Sequence, residues 1–341
     1  MKVILMTFAE TIHRTLLFML AMTATALTAG PISALDIPAQ KQPSSAPVEL
    51  TYLGTAGWII KGNDMTILVD PYITRLQQGG QPGIGQTAYG SDLPGDSRPP
   101  WGDNIPDPDH ALIDKLITRA DYILVTHAHP DHMLDVPYIA NRTHAVVVGN
   151  ESVTNIARAS GVADSNLVTV RGGEDFDFGT YSLRVIDSLH TIIDKSYFDS
   201  RSVPRDVKVP LRFRDYVEGG TRAYLIRLNG QQILVFGSGN YIERELSGIR
   251  PDVVIVGANK NRRYIYDYAG RLMRALGYPA IVLPTHWDRY SLPYDDPQAA
   301  NAPEIKKNLE AFTEEIHAVS PSTQVIVPRY YESIRLVVCP E

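Results

Sequence analysis

Residues 122–132, YILVTHAHPDH, join an apolar run to a cluster of histidine and aspartate side chains. The run Tyr122–Val125 has the β-branched and aromatic character of a buried strand. In extended backbone, residues two apart point the same way, so His127, His129 and Asp131 are expected to converge on one side. The segment therefore predicts a strand whose end carries a cluster of polar ligands.

The residues that follow this strand predict a helix over 132–140. Pro130 keeps the preceding segment extended, and His132 is then the first helical residue, able to lean back toward the other side chains. Neutral imidazole and carboxylate are ligands that suit zinc, and also iron or manganese. A single histidine after a strand is most often a packed or solvated side chain. Four such residues within six positions favour a metal site instead.

Two more histidines follow strands elsewhere in the chain. His190 comes after a strand at 181–186, and His286 comes after a strand at 280–283. Both lie where the chain leaves a sheet, the usual place for site residues on an α/β scaffold. They are candidate ligands of the same site. Three other histidines have no such cluster of candidate ligands near them in the sequence and are interpreted as structural or surface residues: His110, His144 and His317.

The order of the predicted elements indicates an α/β fold built from two similar halves. The first half opens with short apolar runs at 50–53, 57–60 and 66–69, before helices and strands alternate. The second half repeats this order, with strands at 222–228 and 232–236 before its helices, one of which is predicted at 263–276. Such halves are expected to pack sheet on sheet with the helices outside.

Two loop-rich stretches, at 74–108 and 191–220, interrupt this order. Long segments without periodicity are usually functional or disordered, so they are predicted to shape the substrate site. The second stretch holds six basic residues against five acids. This balance favours a solvated loop over an anion clamp, although Phe198, Phe213 and Tyr216 could line an apolar wall.

The N-terminal residues are typical of an export signal. A mildly basic start precedes an apolar run at 15–29, and Ile32–Ala34 offers a small-residue cleavage site. The run is shorter than the roughly 20 residues that span a bilayer, so a retained anchor is the less favoured alternative. Residues 1–34 are predicted as a signal peptide, 35–47 as a flexible linker and 48–341 as the folded domain.

Composition restricts the classes of partner. The chain is 44% hydrophobic and 21% charged, with a formal net charge of −6. A weakly acidic balance provides no basic stripe for nucleic acid, so no nucleic-acid partner is expected. The expected partner is a small-molecule substrate. The one cysteine, Cys339, allows no intrachain disulfide. An exported protein without disulfides suits a periplasmic or secreted location, with no stable membrane insertion after cleavage.

In the segment 127–132 the chain resembles the metallo-β-lactamase superfamily, whose hallmark is the motif His-x-His-x-Asp-His, here His127-x-His129-x-Asp131-His132. The resemblance covers roughly residues 48–290. It extends to further segments: YLGTAGW at 52–58, ILVDP at 67–71, His190, and PTHWD at 284–288. The details look closest to the branch that includes ascorbate-6-phosphate lactonase and N-acyl-phosphatidylethanolamine phospholipase D.

This resemblance implies a four-layer αββα sandwich in which residues 48–341 form a metal-dependent hydrolase domain. In that family one metal would be held by His127, His129 and His190, and the second by Asp131, His132 and His286. A metal-bound hydroxide would attack an ester, lactone, amide or phosphodiester. Asp131 would either hold metal or act in catalysis, by orienting and deprotonating the water.

One position departs from the family pattern. In that family a glycine is usually followed by an aspartate that bridges both metals. The matching pair in this chain is Gly237 and Ser238. A neutral hydroxyl cannot offset two divalent ions, for which Asp131 would be the only anionic protein ligand. We therefore predict one well-occupied zinc at the three-histidine site and a weak or absent second ion, unless Asn240 supplies an amide oxygen. The alternative function is a non-catalytic metal- or ligand-binding protein that has lost the bridging carboxylate.

Two further acids are candidates for orienting the ligand imidazoles through their other ring nitrogen. Asp70 follows the third strand, and Asp288 lies two residues past His286; a strand cap and a surface charge are the alternative interpretations. A serine-hydrolase interpretation of Ser238 is disfavoured. A nucleophile elbow needs a glycine two residues before the serine, where this chain has Phe236.

Overall fold

A computed structural model describes residues 46–75, 105–193, 196–197 and 201–337. The predicted signal segment at 1–34 lies outside these ranges, as do most of the predicted linker and most of the loop at 74–108. Within the described ranges, none of the helices combines the length and apolar character needed to cross a bilayer.

The strands of the described residues, in chain order, are β1 (Val48–Gly54), β2 (Gly57–Gly62), β3 (Met65–Val69), β4 (Tyr122–Leu124), β5 (Val146–Gly149), β6 (Leu167–Thr169), β7 (Asp175–Asp177), β8 (Ser182–Ser188), β9 (Ile192–Ile193), β10 (Ser196–Tyr197), β11 (Thr221–Leu228), β12 (Gln231–Phe236), β13 (Val253–Gly257), β14 (Ile281–Thr285), β15 (Gln324–Val325) and β16 (Ser333–Leu336). The helices are α1 (His110–Leu116), α2 (Pro130–Met133), α3 (Val136–Thr143), α4 (Glu151–Ala159), α5 (Tyr268–Leu276), α6 (Gln298–Asn301) and α7 (Pro303–His317). Short 3-10 turns lie at Asp164–Asn166, Phe213–Asp215, Glu243–Leu246 and Lys260–Tyr264.

Two seven-stranded mixed sheets follow the same plan. The first has the order β16-β1-β2-β3-β4-β5-β6, and the second has the order β15-β14-β13-β12-β11-β8-β7. In the first, β16, β1, β2 and β3 pair antiparallel while β3 to β6 run parallel. In the second, β7, β8, β11 and β12 pair antiparallel while β12 to β15 run parallel. This repetition confirms the predicted two similar halves.

The core explains why the sheets stack. One cluster of buried side chains includes Trp58 and Ile60 from the first sheet with Leu225 and Val235 from the second, and it continues under α5 and α7. A second cluster packs the other face of the first sheet against α1, α3 and α4. All five residues of β13 are buried, as expected of a parallel strand covered on both faces. The predicted four-layer α/β sandwich is confirmed.

The helix predicted at 132–140 differs from the observed structure. The chain forms α2 at Pro130–Met133 and then a separate helix, α3, from Val136. Pro137 lies in the first turn of α3, where its missing N–H is tolerated, whereas it would interrupt the interior of one longer helix. The break leaves Asp131 and His132 on a single helical turn that is separate from α3.

Candidate metal centre

The segment predicted to hold ligands runs from the end of β4 into α2. Val125 N–H donates to the Val148 carbonyl at 2.8 Å, so the chain continues beside β5 after the strand ends. His129 precedes α2 in an extended conformation. Asp131 and His132 then occupy the first turn and are buried. The strand-to-helix junction therefore directs both residues back toward the histidines, as the sequence predicts.

The first group of candidate ligands consists of His127, His129 and His190. One ligand atom from each lies within 4.8 Å of the others, and all three residues are buried. His190 comes from the loop after β8, in the second sheet. Its Nδ1 lies 2.9 Å from the Thr191 carbonyl oxygen, which favours a proton on Nδ1 and leaves Nε2 as a donor atom for metal.

The electrostatics of this group keep its imidazoles neutral. Burial, reinforced by the neighbouring imidazoles, holds the pKa of His127 well below its usual value. Burial and the facing His190 do the same to the pKa of His129. Burial also lowers the pKa of His190 to about 4. Neutral imidazole is the form that binds metal, so these three side chains are ready to bind near pH 7.

The second group consists of Asp131, His132 and His286. Their ligand atoms also lie within 4.8 Å of one another. The Asp131 Oδ2 atom is 3.3 Å from His286 Nε2 and 3.6 Å from His132 Nε2. Burial alone would raise the pKa of Asp131, but His132 and His286 outweigh it and hold the pKa below its usual range. Asp131 is therefore a carboxylate.

Asp70 supports both groups from behind. The parallel register of β3 and β4 pairs Val69 with Leu124, so Asp70 lies beside the residues that follow β4. The Asp70 Oδ2 atom is 2.9 Å from His132 Nδ1. This is the contact expected of a carboxylate that orients a ligand imidazole through its other ring nitrogen. Burial lowers the pKa of His132, but Asp131 and Asp70 outweigh it and raise that pKa.

Thr126 extends this support to the first group, a role that the sequence analysis missed. Its N–H and hydroxyl donate to the Asp70 carboxylate at 2.7 and 2.6 Å. The hydroxyl oxygen is left to accept from His127 Nδ1, 3.2 Å away. A Cβ at Gly237 would overlap both the Thr126 hydroxyl and the Asp70 carboxylate. The only sequence signal for Thr126 is that a hydroxyl residue directly precedes His127.

Ser238 and Asn240 hold the loop that carries His190. The buried Ser238 Oγ accepts the Thr191 N–H at 2.9 Å. The Asn240 side chain donates to the His190 carbonyl at 3.3 Å, while its amide oxygen accepts the Tyr241 N–H at 2.9 Å. The amide oxygen proposed as a substitute ligand is therefore used in a backbone contact, and Ser238 brings no charge to the centre.

Asp288 differs from the sequence-based expectation. Its carboxylate was expected to orient a ligand imidazole, but its contacts are with other groups. It pairs with the Arg75 guanidinium and accepts hydrogen bonds from Tyr52, Thr55 and Tyr330. Arg75 lies 213 residues away along the chain, so no local sequence pattern predicts this pair.

The donor atoms fit a metal ion. The Nε2 atoms of His127 and His132 are buried and have no hydrogen-bond partner among the described residues. A buried polar atom without a partner is costly, and a coordinated ion would satisfy both atoms. Imidazole nitrogens together with one carboxylate form a donor set typical of zinc or iron.

An apolar cluster meets the second group at His286. Tyr72, Leu134 and Phe213 form a buried cluster, against which Tyr216 and Tyr290 pack. The Tyr290 ring meets the His286 ring edge-on, with 5.3 Å between centroids. Phe213 and Tyr216 thus belong to an apolar wall, as the sequence suggested; Phe198 lies outside the described residues.

Comparison with known proteins agrees with this geometry. A family model described as "Beta-lactamase superfamily domain" matches residues 49–286, which is more than half of the chain. The chain belongs to the metallo-β-lactamase superfamily. The predicted family is thereby confirmed, while the assignment to the lactonase and phospholipase D branch stays a prediction.

Curated relatives of this superfamily member carry a common name. A UPF0173 metal-dependent hydrolase from Staphylococcus haemolyticus is 24% identical over 255 residues, which cover 74% of this chain and 90% of that protein. One from Flavobacterium johnsoniae is 31% identical over 144 residues, which cover 42% of this chain and 49% of that protein.

Solved structures share the fold. Igni18, described as a metallo hydrolase from Ignicoccus hospitalis, has a TM-score of 0.52 at 17% identity and covers 86% of this chain and 100% of its own. CmlA, a diiron β-hydroxylase from Streptomyces venezuelae, has a TM-score of 0.51 at 18% identity and covers 88% of this chain and 55% of its own. At such identities the likeness shows the fold alone.

Proposed function

We propose that this superfamily member is an exported metal-dependent hydrolase that cleaves an ester, lactone, amide or phosphodiester in a small molecule. The observation that carries the proposal is the convergence of two buried ligand groups, within each of which the ligand atoms lie within 4.8 Å. Relatives named metal-dependent hydrolases support the reaction type. Export is supported by the N-terminal sequence pattern alone.

The chemistry divides between a bound ion and the side chains of the chain. A zinc ion held by three imidazoles lowers the pKa of a water ligand from 15.7 to about 7 and polarises a substrate oxygen. His127, His129 and His190 supply the neutral imidazoles. Asp131, a carboxylate 3.3 Å from His286 Nε2, would hold metal or orient a water molecule by accepting a hydrogen bond from it.

We propose that one ion occupies the three-histidine group tightly and that the second group binds weakly. The second group has a single carboxylate, from Asp131, and Ser238 adds no charge. Imidazole donors favour zinc, and iron or manganese are the alternatives.

The experiment that tests the function measures turnover of generic ester, lactone and phosphodiester substrates before and after chelation. Chelation is expected to abolish turnover, and zinc is expected to restore it. His129→Ala should remove activity, whereas the matched variant His110→Ala, at an exposed position on α1, should leave it unchanged. Activity that ignores the chelator, or that survives in His129→Ala, would refute the metal-dependent hydrolase.

A second candidate is a non-catalytic protein that binds metal or ligand on the same fold. Ser238 is the observation that favours it, because the usual bridging carboxylate is replaced by a hydroxyl. This candidate predicts that the protein binds zinc and turns over none of the substrates. Tight zinc binding together with chelator-sensitive turnover would reject it.

A further inference from the structure

A buried ion pair lies behind His286. The Arg75 and Asp288 side chains contact each other and are only 1% and 0% exposed. The guanidinium also lies over the rings of Tyr294 and Tyr330, at 4.1 and 4.9 Å from their centroids. Desolvating two charges offsets much of their attraction, so such a pair is weak evidence for stability. Its position suggests a different role.

One oxygen of the Asp288 carboxylate reaches the backbone that holds His286. The Oδ1 atom accepts the Thr55 N–H at 2.9 Å and the Tyr52 hydroxyl at 3.0 Å. The Thr55 carbonyl in turn accepts the His286 N–H at 2.5 Å and the Thr285 hydroxyl at 2.9 Å. Two successive hydrogen bonds therefore connect the carboxylate to the backbone of a candidate metal ligand.

The backbone at both linked residues is in the left-handed region. Thr55 has a φ of 56° and His286 a φ of 54°. A residue with a side chain keeps this conformation only where its surroundings over-determine it, and such residues cluster at functional sites. With this backbone, His286 Nε2 lies 3.3 Å from Asp131 Oδ2 and completes the second ligand group.

The other oxygen of the carboxylate is held from the opposite side. The Tyr330 hydroxyl donates to Asp288 Oδ2 at 2.7 Å. Gly54, with a φ of 91°, packs so closely that a Cβ there would lie 2.6 Å from Arg75 Nη2 and 3.2 Å from Asp288 Oδ2. The carboxylate is thus fixed by charge, by hydrogen bonds and by the adjacent turn.

We propose that Asp288, balanced by Arg75, is a positioning residue that holds His286 toward Asp131 and so sets the affinity of the second group for its ion. The proposal rests on the proposed function in one respect, because that function assigns the second group to metal. Asp288 touches no candidate ligand imidazole among the described contacts and acts through Thr55.

The test compares Asp288→Asn and Tyr330→Phe with the matched control Tyr331→Phe, using Co²⁺ titration of the metal-free protein followed by absorption. Asp288→Asn is expected to raise the Kd of the second ion about 10–100-fold, the range seen when groups that orient ligands are lost, and to leave the Kd of the first ion unchanged. Tyr330→Phe should give a smaller rise in the same Kd. Equal weakening of both ions, or of neither, would overturn the proposal.

A second readout does not depend on the metal. The imidazole nitrogen resonances of His286 in the metal-free protein should shift in Asp288→Asn and Tyr330→Phe and stay in place in Tyr331→Phe. If the wild type binds no Co²⁺, the proposed function has failed, and these resonances still decide the positioning role. Unchanged His286 resonances in both variants would refute it. Tyr330→Phe, which keeps its ring, carries the test if Asp288→Asn does not fold.

Discussion

Replacing Ser238 by aspartate is expected to turn the second ligand group, which we propose binds metal weakly, into a tight metal site. The Ser238 Oγ already accepts the N–H of Thr191, the residue after the candidate ligand His190, at 2.9 Å. A carboxylate at this position can keep an acceptor for that N–H while it adds one negative charge. The substitution therefore changes the charge of the centre with little change to the loop.

The size of the effect follows from the charges of the candidate ligands. Among the six ligands of the two groups, Asp131 is the only acid. A carboxylate and a divalent ion 4 Å apart attract by about 8 kcal/mol at an effective dielectric constant of about 20. If only a quarter of that attraction survives the desolvation of the new carboxylate, about 2 kcal/mol remains, which is roughly a thirtyfold gain in affinity for the second ion.

Elemental analysis of zinc per chain after dialysis, combined with competition titration, measures this gain. The matched control is Ser238→Asn, which has nearly the shape of aspartate and no charge. We expect one zinc per chain in the wild type and in Ser238→Asn, and two in Ser238→Asp. Two tightly bound ions in the wild type would refute the charge argument, and so would equal stoichiometry in the two variants.

Three further substitutions test the surroundings of the centre. Asp70→Asn should weaken metal binding by the second group about 10–100-fold, because His132 loses the carboxylate that orients it. The exposed control Asp177→Asn should leave that Kd unchanged, and equal affinities in the two variants would contradict this role of Asp70. Gly237→Ala should lower the free energy of unfolding by about 1–3 kcal/mol, because the new Cβ would overlap the Asp70 carboxylate. Urea titration measures this change, and an unchanged unfolding midpoint would count against that packing. Burial raises the pKa of Asp135 to about 6, so the folded state binds more protons than the unfolded state between about pH 4 and pH 6. Across that interval the wild type should lose stability relative to Asp135→Asn as the pH rises, and a constant difference in unfolding free energy would contradict the assignment.

The sequence pattern predicts the fold well because each half consists largely of hairpins and of strands alternating with helices, whose members are neighbours in the chain. Short apolar runs separated by turn residues indicated the antiparallel strands, and alternating runs indicated the parallel ones. The limits of elements were less predictable. The helix expected at 132–140 is divided because Pro137 favours a new first turn, and the helix expected at 263–276 begins only at Tyr268, after the 3-10 turn at Lys260–Tyr264.

The candidate site was predictable to the extent that its residues share a motif or follow strands. His127 and its neighbours stand in one segment, and His190 and His286 follow strands, so all six candidate ligands could be named. Thr126 and Arg75 could not be assigned roles. Their partners are set by strand register and by contacts between distant segments, which leave no periodic trace in the sequence.

Each ligand group draws on both halves of the fold. The first half supplies His127 and His129, and the loop after β8 in the second half supplies His190. The second group likewise takes Asp131 and His132 from the first half and His286 from the end of β14. Neither group exists until the two sheets have packed, so an ion that binds here binds only the folded chain. Metal binding is then expected to stabilise the packed sandwich by RT ln(1 + [M]/Kd), and the three-histidine group, which we propose binds its ion more tightly, should contribute more of this stabilisation than the second group.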